Sequence, residues 1–556
     1  MNVLRRVDRA LSVKQESGWN RNVSSRWSNR DLDPVVENER TWTAWDIASY
    51  WSSGQFIIGR RSVERFLMRE ACSIHRPARA SYMGSWQHSG LTDCRHCDDM
   101  TAADIGAPLS PPQLVGLGLC AREAIPLSFI AFTAIGIVLT INGTIGATTH
   151  CSFPVIARSS FGMVGAYMPI LVRSILALLQ IHLICPLTAE YAPDQGGAIT
   201  SVMIKAIWPT FGNVKNTLPE GLGITTQNMI GFLILWLVQA PLACIPVRKL
   251  KYFFAFKAYT SIILFGGLFI WAPVVTKGNG FLLTGSFDEA KLPRGSRAKR
   301  EGVPIAVSLI CAQAAKEKYG VEIYDPASLC GAFGSRAAQF FAALGFWVAT
   351  IGVNISANSI SFATDITSLF PRYLTIFRCS ILAGLLCWIT NPWRIVTDAP
   401  TFYNFLGAYP CFLAPVATIL ATDFYLVKKG KVDVRQFYEP RGIYSYFYGF
   451  NLRAIGAWIC AFAPNLPSFA HAVDPHNPNV QPFTYFFSWY FSTVTACAWY
   501  YLFNRLFPAH GALIEEAVYE VGTLEYSDSE AEAGGTEKDF SESDYDKNPS
   551  AVVAAV

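Results

Sequence analysis

Apolar runs of membrane-crossing length recur along the chain, near 114–141, 163–187, 228–246, 254–276, 337–364, 379–398, 405–427, 448–469 and 485–507. A helix needs about 20 mostly apolar residues to cross a hydrocarbon core of ~30 Å, so these runs predict spans of an all-α polytopic membrane protein. Basic loops assign the sides. Arg248, Lys249 and Lys251 follow the third run, Arg372 and Arg378 the fifth, and Lys428, Lys429 and Lys431 the seventh; all belong in the cytosol by the positive-inside rule, and they alternate consistently. The first run then ends inside, with His150 and Arg158. A basic N-terminal arm (Arg5, Arg6, Arg9, Lys14, Arg21, Arg26, Arg30) also belongs inside, so one crossing before residue 114 is missing. Only Thr43 to Gly59 could supply it, and it is marginal: 17 residues, with Asp46 inside it and Arg60 and Arg61 directly after. A second gap lies between 277 and 336, where only the short run 303–315 is apolar.

The run 337–364 carries no charge in 28 residues, yet it is not uniformly apolar. Thr350, Asn354, Asn358 and Ser361 recur at helical spacing and fall on one face. One reading is helix–helix glue, with Ala342, Ala343, Gly345 and Gly352 permitting close approach. The other is a lined site inside the bilayer. Measured glue contributions average only about 0.6 kcal/mol, so two asparagines one turn apart favour the site.

Composition agrees with the membrane reading: 51% of residues are hydrophobic and 15% charged, against ~25% charged in soluble domains. The net charge of +4 divides between the basic arm and an acidic tail holding Ser527, Ser529, Ser541 and Ser543, and so points to no nucleic acid. The tail has the composition of a disordered segment open to phosphorylation. Cys120, Cys244, Cys387, Cys411, Cys460 and Cys497 fall in apolar runs and act as small hydrophobes. Cys94 and Cys97 flank His96, but one CxxC without a second pair is weak for zinc, so no metal or cofactor is expected. The membrane part offers no paired carboxylates, triad or phosphate loop, and Asp365, Asp398 and Asp423 lie near span ends. An enzyme is not predicted.

Several stretches together resemble one family. They are SNRDLDPVVENERTWTAWDIASYW at 28–51, LTINGTIGATTHCSFPVIARSSFGMVGAYMPILVRSILA at 139–177, KAIWPTF at 205–211, NISANSISFATDITSLFPRY at 354–373 and TDFYLVKKGKVDVRQFY at 422–438. In this order they resemble the nucleobase:cation symporters, in particular the fungal-type uracil, uridine and allantoin permeases. The resemblance implies a twelve-helix inverted-repeat fold (5+5 plus 2), here incomplete at helices 1, 6 and 7. It implies import of a nucleobase, nucleoside or allantoin-type ring by alternating access in the plasma membrane, both termini cytosolic. The division expected is a basic arm (1–42), a transporter domain (43–508, with atypical segments at 60–112 and 278–302) and an acidic tail (509–556).

Carried over by position, Asn358 matches the family's ring-binding asparagine, and Asn354 sits one turn before it. Where the family places a stacking tryptophan and, four residues on, a ring-binding glutamine, counting from Arg173 gives Gln180 and Ile184; His182 lies between them. Where sodium-coupled relatives supply hydroxyls, this chain has Gly352 and Val353, so the resemblance favours a proton as coupling ion, with sodium as the alternative. The chain departs from the family at 60–112, 179–197 and 286–302. Two further readings follow: a transport-dead relative serving as a membrane sensor or scaffold, and a working permease whose coding sequence is joined wrongly at these segments.

Overall fold

A computed structural model describes parts of 12–50, then 136–184, 195–219, 222, 224–275, 318–319, 326–389, 409–473 and 488–519. The described chain is helical, with only isolated β-bridges. In chain order the helices are α1 (136–149), α2 (Phe153–Phe161), α3 (Tyr167–Ile184), α4 (Gln195–Ile207), α5 (Thr226–Ala243) and α6 (Val247–Val275). Then follow α7 (Pro326–Ala332), α8 (Arg336–Val353), α9 (Ile360–Leu369), α10 (Ile376–Ile389), α11 (Pro410–Ala421), α12 (Leu452–Phe462), α13 (Leu466–Val473) and α14 (Ser488–Leu506). A π-helical segment, Asn354–Ser359, joins α8 to α9, and a second, Thr422–Val427, extends α11.

Local chemistry explains most of the boundaries. The Thr225 side chain accepts from Asn228 N–H at the start of α5, supplying one of the partners a helix N-terminus lacks. Prolines open α2 and α11, where a missing N–H costs nothing. Gly162 ends α2 at φ 91° and lies tight against the Gly449 carbonyl, an approach that leaves no room for a Cβ. The first apolar run continues as α1 through Asn142 to Thr149, a polar stretch whose Thr144 and Thr149 hydroxyls donate to carbonyls four residues back. Residues 114–135 of that run lie outside the described residues.

Two boundaries differ from the hydrophobic pattern. Arg248, Lys249 and Lys251 are not in a loop: α6 begins at Val247, and they form its first turns, where long stems can lie along apolar surface with their charges in water. Helix α4 was not among the predicted runs, being only 13 residues long. It packs against α5 and α8, and Gly197 and Gly231 make the α4–α5 crossing close: a Cβ on Gly197 would stand 2.8 Å from the Asn228 carbonyl oxygen.

The basic segments gather at one end. Asn29 Nδ2 donates to the carbonyls of Pro371 and Leu374 (both 2.7 Å), and Ile376 N–H donates to Asp31 (2.9 Å). Arg158 donates to the Trp27 and Phe437 carbonyls, Tyr438 OH to the Leu32 carbonyl (2.7 Å), and Lys251 to the Thr41 carbonyl. Residues 27–35 of the basic arm are thus threaded into the protein, with Trp27 and Leu32 in the same core cluster as α2, Phe437 and Tyr438. The start of the acidic C-terminal segment is docked as well, Val518 pairing with Val432 and Val434.

Two buried ion pairs tie helices near this end. Asp423 joins Lys428 (2.6 Å) and also accepts from Ser160 (2.7 Å) and Tyr500 (2.8 Å). Arg173 on α3 grips Asp365 on α9 through both carboxylate oxygens, Nε lying 2.7 Å from Oδ2. Removing one partner of a buried pair strands a charge, at a cost of about 3–5 kcal/mol, whereas replacing both with apolar groups is often neutral. Arg173→Leu and Asp365→Leu should therefore each lower the thermal unfolding temperature of the purified protein sharply, and the double variant should recover most of the loss. Additive losses would mean that the pair does not act as a unit.

Candidate functional site

Residues Arg336 to Leu369 form one continuous helical span of 34 residues, interrupted only in its hydrogen-bond pattern. Ile360 N–H donates to Ile355 O, five residues back, the signature of a π segment, a device found mostly where a helix carries function. Within it Asn358 Nδ2 donates to Asn354 Oδ1 at 2.9 Å. Both side chains are 0% exposed. Asn354 Nδ2 in turn donates to Gln239 Oε1 on α5 (3.2 Å) and to the Ile181 carbonyl on α3 (3.3 Å). The two asparagines named from the sequence are therefore brought together and locked to two neighbouring helices, while Asn358 Oδ1 is buried with no partner.

The rest of the stripe divides. Thr350 turns its hydroxyl back to the Phe346 carbonyl (2.8 Å), a bland role. Ser361 Oγ is buried and unpartnered. The small residues do what the glue reading assigned to them: Gly345 packs on Leu264 of α6, and Gly352 lies against the stem of Lys257. The packing glycines and the amide pair fall on different faces of one helix.

Three neighbours escaped the sequence reading. Tyr50 donates its hydroxyl to the Ser356 carbonyl (2.5 Å), inside the π segment. Its own carbonyl accepts from Lys257 Nζ (2.6 Å). Lys257 is fully buried, 5.0 Å from the centre of the Phe254 ring. A lone lysine inside the apolar run 254–276 was the available signal, because ionisable groups within spans are costly and mark functional sites. Gln239 gave no such signal; a single glutamine in an apolar helix carries no pattern.

The other expected wall positions are partly described. Gln180 donates to Tyr409 OH (2.7 Å), and its Oε1 is buried and unpartnered. The side chains of His182 and Ile184, and all of 51–59, 60–112 and 276–317, lie outside the described residues, as does the Cys94–Cys97 pair. Among the described residues no group of His, Cys, Asp and Glu could hold a metal, and the cysteines are free thiols. A pocket of about 300 Å³ opens elsewhere, at the basic end beside Trp27, Arg441 and Tyr448.

Residues 114–293 and 302–519 match the family described as permease for cytosine/purines, uracil, thiamine and allantoin. An uncharacterized permease of Schizosaccharomyces pombe is 26% identical over 530 residues, covering 86% of this chain and 80% of the relative. The allantoin permease of Saccharomyces cerevisiae is 26% identical over 511 residues, covering 81% and 71%. The fold is similar to that of Mhp1, a nucleobase-cation-symport-1 family transporter solved in a closed conformation with bromovinylhydantoin bound. That likeness has a TM-score of 0.55 at 15% identity and covers 87% of this chain and 97% of that one.

The contact of Gly352 with Lys257 yields a direct test. A Cβ at residue 352 would overlap Lys257 Cδ, whereas Gly267 on α6 has nothing within 4 Å. Overpacking of this kind costs about 1–3 kcal/mol, and Gly→Ala in an open helix gains roughly 0.5–1 kcal/mol. Thermal unfolding should therefore fall for Gly352→Ala and hold or rise for Gly267→Ala; equal behaviour would contradict the packing.

Proposed function

Because the chain belongs to the family of permeases for cytosine/purines, uracil, thiamine and allantoin, we propose that it imports a nucleobase, nucleoside or allantoin-type ring, driven by a proton. The observation that carries this reading is the buried amide pair Asn354–Asn358, held at a π break in an otherwise continuous span with one acceptor left unmatched. A side-chain amide offers a donor and an acceptor side by side, which suits the edge of a planar ring whose N–H and C=O groups alternate. Asn358 contacts the ring and Asn354 orients Asn358.

Coupling to a proton is supported by Lys257. Its amine is buried inside the protein, donating to the Tyr50 carbonyl and resting along Gly352, a residue with no hydroxyl to offer sodium. A lysine that gives up and regains its proton changes the charge of the interior by one unit without a bound metal. Tyr50 links this group to the ring site, since its carbonyl accepts from Lys257 and its hydroxyl donates into the π segment. Protonation and ring binding thus share a wall, which alternating access requires if the two are to move together.

The proposed architecture is the twelve-helix inverted repeat, with an arm at 1–42, a transporter domain at 43–508 and a tail at 509–556. The basic end faces the cytosol and the protein resides in the plasma membrane. Agreement among the Asn29, Asp31, Arg158 and Lys251 contacts, all at the basic end, supports that orientation.

Labelled uracil, uridine and allantoin supplied to transport-deficient cells test the function. Saturable uptake of at least one is expected, lost in Asn358→Ala at undiminished surface expression; no uptake of any, with the protein at the surface, would overturn the proposal. Lys257→Met is expected to keep exchange of internal for external ring while losing accumulation driven by an inward proton gradient. Unchanged accumulation would remove Lys257 from coupling.

A further inference from the structure

Away from the asparagines, a cavity of about 300 Å³ opens where three separate segments meet: the N-terminal arm at Trp27, the turn between α2 and α3 at Val164, and the loop ahead of α12 at Arg441, Ser445 and Tyr448. Its charge is one-sided. Arg441 is exposed and belongs to none of the ion pairs among the described residues. Trp27 already has Arg26 and Arg158 against its ring, 5.4 and 5.7 Å from the centroid. No carboxylate lines the cavity, and Glu439, two residues before Arg441, is exposed outside the lining. Such a cavity attracts an anion. An ammonium group finds no counter-charge in it, because the protein's own arginines already occupy the aromatic ring that would receive a cation.

The loop forming one wall adopts an uncommon backbone. Tyr446 and Tyr448 both lie in the left-handed region, at φ 46° and 50°, which non-glycine residues enter rarely and mostly where function requires it. The turn is nonetheless firmly held: the Gly449 carbonyl accepts from the Val164 and Gly165 N–H groups (both 2.9 Å), and Tyr446 OH donates to the Ser159 carbonyl (2.6 Å). Its effect is to keep Phe447 and Tyr448 turned outward, 61% and 84% exposed, with their rings in edge contact at 4.8 Å. Leu452 in the first turn of α12 and Phe507 just after α14 are exposed beside them, and Arg453 donates to the Phe507 carbonyl. Aromatic and basic side chains mixed at the ends of spans suit the headgroup layer of a bilayer.

We propose that this cavity is a site for an anionic phospholipid whose headgroup carries hydroxyls and no ammonium, such as an inositol head. Arg441 holds the phosphate, the Ser445 and Tyr448 hydroxyls meet those of the head, and the acyl chains leave past Phe447 and Leu452. Basic pockets at the ends of spans take such heads, and the exposed apolar side chains at the mouth favour a lipid over a free phosphate ester. The site goes beyond the ring-transport reading and does not depend on it. Bound there, the lipid ties the arm to the α2–α3 turn and to the loop before α12.

The test titrates the purified full-length chain in detergent with phosphatidylinositol, phosphatidylserine and phosphatidylcholine of one acyl composition, counting retained lipid per chain by native mass spectrometry. Phosphatidylinositol should saturate at one tightly held molecule and bind severalfold more tightly than phosphatidylserine, which has the same net charge but adds an ammonium; equal retention of the two would overturn the headgroup assignment. Arg441→Gln should weaken phosphatidylinositol about fivefold, the loss of roughly 1 kcal/mol from one cation at the membrane surface. Arg435→Gln removes an exposed cation that lies outside the cavity and is paired with Asp433, and should leave binding unchanged. Equal losses in the two variants would mean a diffuse field and overturn the site. Glycerophosphoinositol, the same head without acyl chains, should fail to displace the lipid at equal concentration; full displacement would show a soluble phosphate ester as the ligand and overturn the lipid assignment.

Discussion

The hydrogen bond from Asn354 to the Ile181 carbonyl is the contact on which the interior depends. It joins the longest apolar span to α3, aligns Asn354 with Gln239 of α5, and hands Asn358 a fixed orientation. Both amides lie in the π segment Asn354–Ser359, four residues apart and so on one face. Buried amides without partners are expensive in a medium that supplies no water. Three of the four polar groups of the pair are satisfied by protein, so the fourth stands out as the place where something else belongs.

Around this centre the fold is fastened mainly at one end. The N-terminal stretch from Trp27 to Val35 lies between the turn after α9, the start of α2 and the segment at 437–438, bonding to each. Arg173–Asp365 joins α3 to α9, and Asp423, paired with Lys428 of its own segment, reaches α2 and α14 through Ser160 and Tyr500. Fixed charges are rigid supports when fully paired and liabilities when half broken. Lys257 donates to the Tyr50 carbonyl and sits beside the asparagine helix.

The helical class was legible because apolar runs of this length fold as helices in a bilayer. Residues 27–35 of the basic arm bond to the turn after α9, to Arg158 and to Tyr438. That Asn354 and Asn358 share one helix face was legible from their spacing of four, and the structure joins them by a hydrogen bond. Arg158 and Arg173 are both buried, whereas Arg372 is exposed. Helix α4 was missed because 13 residues fall short of a span, and its stability comes from contacts with α5 and α8 that no local pattern records. Gln239 and Tyr50 were missed for the same reason: each matters through a partner more than a hundred residues away.

The central claim is that the π segment and the turn after it line the path of the ring. Ser361 is buried, unpartnered and less than one turn beyond Asn358, and Ser361→Cys preserves its shape. The decisive measurement is the rate at which a membrane-permeant maleimide modifies that cysteine, with and without saturating substrate. A rate slowed severalfold by substrate is predicted; a rate indifferent to substrate, in a variant that still transports, would contradict the account.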